Sequence, residues 1–536
     1  MTRNRRQLDY AEANDIRSVL AFFRGSTIAT RSRQTIMPTD TTGTPHPWRR
    51  LMGRFAPSVR ASVPAIFLLV TFLLTGVTFI AITPPGQNSD ESDHFFRAYQ
   101  VSQGNVLSDE TVQGPREENG RKIGGLVPAQ AAAFIDSIGV LRGFDATSKF
   151  DDLDYAHLQS FRDDGTETFR QFVNAAAYPP LAYVPTAAAW WVGDVLNLSF
   201  LSILYLGRVF CLLATAALLA VTIRILPVGR WAFIVLALLP ATVGQAAAFS
   251  ADGMTIALGF VSTAYVARVA LQDTHVRWAQ WLTLSLLFIA VALVKPSYAP
   301  MVALVLIIPV LNRYARSRIA AIGAVTTITV AGLATLGWAR LIGYIDYGVN
   351  PKNNVAVQTE LLLENPFRFV RAAINLFIFD GPNGLTDQKG DFFRGIFGDF
   401  AWLSTPVPML FMIALVVALV LSTLVIDDHE LPAIAQLQQS RWWRVVLVGV
   451  TILTTLGVAG SLYLYFTPTA GTTVQGLQGR YMLPVLLAGL LACVGNRLVS
   501  QRGVRTAVAS VSVISLGVSL VALSARFYTL PLEIGG

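Results

Sequence analysis

"YPPLAYVPTAAAWWVGDVLNL", Tyr178–Leu198, decides the topology. If these residues cross a membrane, every later basic cluster falls on the side opposite the basic N-terminal tail. If they do not, all the clusters share one side. The stretch carries Pro179, Pro180 and Pro185, which interrupt helix hydrogen bonding, and the pair Trp190–Trp191, which suits the headgroup zone. It is therefore read as a helix lying on or dipping into the membrane surface.

The rest of the chain makes that choice matter. Its 536 residues are 53% hydrophobic and only 14% charged, with a mean hydropathy of +0.52. Repeated apolar runs long enough to span a bilayer, roughly 20 residues each, exclude a soluble protein. Spans are expected at 63–82, 205–225, 231–249, 253–271, 279–294, 298–311, 319–340, 406–426, 443–466, 481–496 and 506–525, eleven in all. The expected fold is an all-α integral membrane protein with a large first extracytoplasmic loop containing amphipathic helices.

Charge sets the expected direction. Residues 1–62 hold eleven Arg against four acids and form a basic cytoplasmic tail, expected to be disordered. Met37 is a second candidate start. With the tail inside, Arg224 and Arg230, Arg268 and Arg277, Arg313 to Arg318, Arg441 and Arg444, and Arg497 to Arg505 all fall inside, as the positive-inside rule requires. Residues 63–340 then form one transmembrane module that includes the external loop 83–204. Residues 341–405 form a second external loop with the amphipathic run "NPFRFVRAAINLFIFDG". Residues 406–536 complete the membrane helices, with the C-terminus outside. Thr83–Ala177 is acidic, with fifteen acids against eight basic residues. Cys211 and Cys493 lie in apolar runs and read as small core residues rather than a disulfide or metal pair. No Gly-rich phosphate loop suggests a nucleotide-driven pump, and a basic tail abutting a span points to membrane lipid rather than nucleic acid.

The ionisable outliers gather at the outer ends of the expected spans. Asp90, Glu91, Asp93, His94 and Arg97 follow the first span in "TPPGQNSDESDHFFRAYQ". Arg208, Asp252, Lys295 and Arg480 lie at the outer ends of later ones. Ionisable groups near a bilayer are costly to desolvate, which makes them functional candidates. A carboxylate can accept a proton from an attacking hydroxyl, while Arg and Lys hold a phosphate. Each has a plainer alternative. Asp90, His94 and Arg97 share a helical face and can be a surface ion ladder. Asp252 can cap a helix, and Lys295 and Arg480 can be interfacial side chains reaching for water. No His, Cys and acid pattern has metal-ligand spacing, although the three adjacent acids leave room for Mg²⁺ or Mn²⁺.

The segments "PPGQNSDESDHFFRAYQVSQG", "YPPLAYVP", "YLGRVF", "ALLPATVGQAAAFSADG", "VKPSYAP" and "QGRYMLP", spread over roughly 82–490, resemble in order a domain-of-unknown-function family of bacterial polytopic membrane proteins related to the GT-C glycosyltransferases. That resemblance implies a polyprenyl-phosphate sugar donor and a glycan or glycolipid acceptor. It implies a catalytic base at Asp90 or Glu91, donor or metal binding at Asp252, and a lipid phosphate held by Lys295 and Arg480. Asp93, His94, Arg97 and Arg208 complete the expected substrate-binding set. Where the resemblance puts an Asp-Glu pair close behind the two prolines, "GQNS" intervenes and Asp93 follows, which leaves the choice of base open. The expected activity is sugar transfer at the outer face of the bacterial cytoplasmic membrane. A lipid or oligosaccharide transporter and a non-catalytic scaffold for envelope biosynthesis are the alternatives.

Overall fold

The computed structural model describes residues 47–112, 121–139, 145, 147–343, 352–379, 388–495 and 501–529. The chain divides into two compact units, Met1–Arg60 and Ala61–Gly536. Of the first, only residues 47–60 are described, as the start of the helix Pro47–Ile82. The disorder expected for 1–46 lies outside the described residues, and residues 47–62 of the expected tail are helical.

Among the described residues, six helices are long and apolar enough to cross a membrane: Val63–Ile82, Phe200–Ile225, Asp252–Ala270, Arg318–Leu341, Trp442–Tyr465 and Arg502–Phe527. A seventh crossing forms if Met409–Thr423 and Asp428–Leu437, bent by 56° at their junction, act as one span. The other four segments expected as spans are helical but short or interrupted. Three are the helices Trp278–Ala292, Pro296–Leu311 and Gly479–Cys493. The fourth breaks into Arg230–Ala237 and Pro240–Ala246. Pro240 explains that break, because it has no N–H to donate and forces Leu239 into an extended conformation (φ −59°, ψ 136°). On the first span, Val63, Ile66, Val70, Leu74 and Val77 are exposed at helical spacing, an apolar stripe that only lipid or another helix would cover.

Tyr178–Leu198 does not form a span. It gives a 3₁₀ turn, Pro180–Tyr183, and a helix, Val184–Leu196, of thirteen residues. Such a helix is about 20 Å long, too short for the hydrocarbon core. Trp190 is buried and Trp191 is 70% exposed, so the pair divides between protein and surroundings. The buried indole donates to the Phe95 carbonyl (3.2 Å) and packs on the Phe95 ring at 4.7 Å.

The first loop region differs from its all-helical expectation. An antiparallel sheet, β1 (Asp109–Val112), β2 (Arg121–Pro128) and β3 (Glu167–Gln171), pairs Asp109 with Gly124 and Gly124 with Gln171. Gly124 is required there, since a Cβ would sit 1.8 Å from the Arg170 carbonyl oxygen. The second region holds the helices Val355–Glu364, Phe367–Ile374 and Gln388–Phe397. It ends in a small hairpin, β4 (Asp399–Phe400) and β5 (Thr405–Pro406).

Helix ends collect into two sets. In one, Arg313 pairs with Asp273 (2.7 Å), Arg505 with Asp427 (2.7 Å), and Gln436 reaches the Leu311 carbonyl. In the other, the first loop region meets the start of Phe200–Ile225, the end of Arg318–Leu341 and the end of the last helix. Trp338 Nε1 donates to Ala177 O, and Phe150 N to Phe527 O.

One buried pair ties this second end together. Arg208 and Glu91, both 0% exposed, pair through Nε to Oε1 (2.8 Å) and Nη2 to Oε2 (2.6 Å). Arg208 also donates to the Thr83 carbonyl (2.7 Å) and the Pro84 carbonyl (3.0 Å). The Glu91 carboxylate further accepts from Gly86 N, Asn88 Nδ2 and Phe249 N. Removing one partner of such a pair strands a charge in the interior, at a cost of about 3–5 kcal/mol. Arg208→Ala and Arg208→Lys are both expected to lower the melting temperature and the monodisperse yield in detergent. Lys fails because a single ammonium cannot reproduce the fork that reaches both Glu91 and the two carbonyls. A thermal shift assay followed by size-exclusion chromatography checks this, and a Lys variant as stable as the native chain contradicts it.

Candidate functional site

Glu91 opens the helix Glu91–Ser102, and Asp90 immediately precedes it. Asp90 is left-handed (φ 59°, ψ 14°), and its side chain makes no capping bond to its own helix. The carboxylate instead accepts from Asn174 Nδ2 (3.2 Å) and faces Arg480 Nη2 at 3.7 Å. The expected helical face through Asp90, His94 and Arg97 therefore does not form, because Asp90 stands outside the helix.

Arg480 is the hub. It lies in the turn Gly479–Met482 that leads into Leu483–Cys493. Its Nε is 3.6 Å from Asp252 Oδ2. Asp252 is the first residue of its helix rather than the cap, which is Ala251, and its other oxygen lies 3.8 Å from Lys295 Nζ. Four separate parts of the chain thus bring Asp90, Arg480, Asp252 and Lys295 into one line of alternating charge. All three ion pairs exceed hydrogen-bonding distance, so the charges face one another without close pairing.

Aromatic rings hold the cations. Lys295 Nζ is 5.0 Å from the Tyr178 centroid and 4.2 Å from that of Tyr481, a cation–π cage. Burial pushes the Tyr178 phenol up to about 12, so this ring meets the ammonium as a neutral group. Tyr298 anchors the cage by donating to the Tyr481 carbonyl (2.7 Å). A cleft opens beside Arg480, with Asn88, Ser89 and Gln245 among its walls.

The other expected residues are placed differently. Glu91 and Arg208 form the buried clasp, so neither reaches the line of charge, and Glu91 already accepts five hydrogen bonds where a carboxylate offers about four lone-pair directions. Arg97 is buried and donates to Gln100 Oε1 (2.5 Å) and to the carbonyls of Val106 (2.6 Å) and Tyr178 (3.1 Å), which braces the helix against the loop. His94 is buried behind the line, with Nδ1 2.7 Å from the Tyr183 hydroxyl. Burial lowers its pKa against the opposing pull of Asp90 and Asp252, which keeps the ring neutral near pH 7. Asp93 accepts from Asn174 N (3.0 Å), so Asn174 bridges Asp90 and Asp93. Among the described residues no group of three or more His, Cys, Asp or Glu is placed to hold a metal ion.

Sequence reasoning missed Asn174, Tyr178, Tyr183 and Tyr481. The three tyrosines stood within "YPPLAYVP" and "QGRYMLP", whose prolines and arginine drew the attention. Asn174 carried no signal at all.

The structure defines the class as a polytopic helical membrane protein with a charged, aromatic-lined cluster at one end of its helices. The chain belongs to the predicted membrane protein family DUF2142, whose model matches residues 73–488 and so spans the whole cluster. No curated protein and no solved structure matches it.

Burial, with repulsion from Asp90 behind it, raises Asp93 from 3.8 to about 7 despite the Asn174 bond. The folded state then holds this proton more tightly than the unfolded chain. The contribution to stability is full below about pH 4 and is lost as pH rises through about 7. Asp93→Asn mimics the protonated acid. The melting temperature of the native chain relative to Asp93→Asn is expected to fall between pH 5 and pH 8. A flat difference across that range contradicts the assignment.

Proposed function

We propose that the chain is a membrane glycosyltransferase that moves a sugar from a polyprenyl-phosphate donor to a cell-envelope glycan or glycolipid. In this view the architecture is GT-C-like, the four short or broken apolar segments complete eleven crossings, and the cluster faces the outer side of the bacterial cytoplasmic membrane. One observation carries it: Asp90, Arg480, Asp252 and Lys295, far apart in sequence, converge at helix ends, where a lipid phosphate would lie. A transporter is less well supported, since its coupling charges belong at the bilayer midplane.

Asp90 suits the base and Glu91 does not. Asp90 keeps 27% side-chain exposure, whereas Glu91 is enclosed and its oxygens are occupied. The Asp90 carboxylate takes the proton of the acceptor hydroxyl as that oxygen bonds to the anomeric carbon. The bond from that carbon to the phosphate oxygen breaks, and the sugar centre inverts. The electron pair leaves on the lipid phosphate, beside Lys295 and Arg480, which stabilise the developing charge. Asp252 holds both cations in the resting state and yields them in part to the phosphate.

Transfer from a polyprenyl-phosphate sugar, assayed with and without EDTA, is expected to fall about 10²-fold or more in kcat for Asp90→Ala. Lys295→Met is expected to raise the donor KM by about tenfold, with each variant compared as the monodisperse folded fraction from size-exclusion chromatography. Full transfer by Asp90→Ala, and by Asp90→Ala combined with Glu91→Ala, overturns the mechanism.

A further inference from the structure

The helix Phe367–Ile374 of the second loop region packs on the protein by one side and is exposed on the other. Ala372 and Ala373 are buried, and the Phe369 ring lies 5.7 Å from that of Tyr463. At about 3.6 residues per turn, Phe367, Val370 and Ile374 fall in one arc opposite those three. That arc is open, with exposures of 76%, 46% and 41% in turn. Arg368 and Arg371, both exposed, run along one edge between the apolar arc and the packed side.

The helix is fixed where a membrane-length helix stops. Tyr463 belongs to the last turn of Trp442–Tyr465, and Asn375 Nδ2 donates to the Thr472 carbonyl (2.7 Å) just beyond that end. The preceding helix, Val355–Glu364, is tied to the same place. Its buried Gln358 donates to the Tyr463 carbonyl (3.2 Å) and accepts from Ala470 N (2.8 Å), while Asn353 Nδ2 donates to the Leu464 carbonyl (3.2 Å). The segment gripped in this way runs on into Gly479–Met482, which carries Arg480. The apolar arc therefore stands at the end of the helices that holds the charged cluster.

Position and charge narrow what covers the arc. Three large apolar side chains in one patch are costly to leave in water. Phenylalanine and branched aliphatic side chains on one face, with arginines at its edge, suit the boundary between acyl chains and headgroups. There the apolar groups enter the hydrocarbon, and the arginines reach up to phosphate oxygens. We propose that Phe367–Ile374 is a membrane-surface helix that docks on anionic phospholipid, with Phe367, Val370 and Ile374 among the acyl chains and Arg368 and Arg371 on the headgroups. This contact is independent of the glycosyl-transfer reading, because it forms whatever chemistry the cluster performs.

Fluorescence quenching tests this on the full chain in phosphatidylcholine vesicles. In a Cys493→Ala background, where Cys211 is buried, bimane is attached at Phe367→Cys or at Val370→Cys. Acyl-brominated phosphatidylcholine or phosphatidylglycerol quenches from the bilayer, and acrylamide quenches from water. Strong quenching by bromolipid and weak quenching by acrylamide are expected at both positions. Brominated phosphatidylglycerol is expected to be preferred over brominated phosphatidylcholine by about fivefold or more, and Arg368→Gln combined with Arg371→Gln removes that preference. Strong quenching by acrylamide without quenching by bromolipid overturns the proposal, because the arc then faces water. Weak quenching by both also overturns it, because protein, such as a second copy of this chain, then covers the arc. Equal quenching by the two bromolipids with both arginines in place overturns the headgroup contact. The two label positions are separate variants, so either decides if the other does not fold.

Discussion

Arg208 is a charge enclosed within the membrane-length helix Phe200–Ile225, and it is tolerated there because the groups around it answer its donors. Glu91 takes two of them, and the Thr83 and Pro84 carbonyls take others where the first span ends. Pro85 follows Pro84, and two consecutive residues without an N–H cannot continue a helix. The chain must leave the span at this point with unpaired carbonyls, and Arg208 supplies their partners. In return Glu91 is fixed at the first position of its helix, with Phe249 N from the broken segment bound to the same carboxylate. Three stretches of chain are thereby registered by one ion pair. Asp90 is a neighbour of that pair and inherits its precision.

The cluster beyond the clasp obeys a different constraint. Two carboxylates and two cations alternate, so the line is electrically balanced without a ligand. Its gaps of 3.6–3.8 Å contrast with the 2.6–2.8 Å contacts of the clasp. Close pairs fix geometry, whereas loose ones keep donors available. The aromatic cage around Lys295 gives the ammonium a second hold beside Asp252. In the proposed reaction, a phosphate oxygen entering the line would meet cations already in place, with little reorganisation to oppose it.

Much of this was legible in the sequence, and the reasons for the rest are physical. Prolines and a tryptophan pair marked Tyr178–Leu198 as a non-spanning helix, because steric and interfacial preferences are local. That Asp90, Asp252, Lys295 and Arg480 lie near helix ends was legible from where the apolar runs stop, whereas their meeting in one line is a product of packing. Hydropathy could not separate a continuous span from a broken one, since Arg230–Ala237 and Pro240–Ala246 are mostly apolar and only Pro240 hints at the break. Nor could it tell Glu91 from Asp90, adjacent acids whose fates depend on Arg208, 117 residues away. The sheet built from β1 to β3 pairs segments too short and polar for a periodic signal. Asn174 matters only because folding sets it between two carboxylates.

Backbone strain on either side of Arg480 has different support. Asp90 is left-handed, a conformation Asp tolerates better than most residues. Its carbonyl accepts from His94 N, its side chain from Asn174, and its neighbour is held in the clasp. Across the cleft, three non-glycine residues in a row adopt the same region, at a cost of order 1–2 kcal/mol each. Among the hydrogen bonds that hold that turn, those through Ser404 involve a single hydroxyl. In the proposed reaction, the carboxylate that takes the proton of the acceptor hydroxyl lies on the braced side.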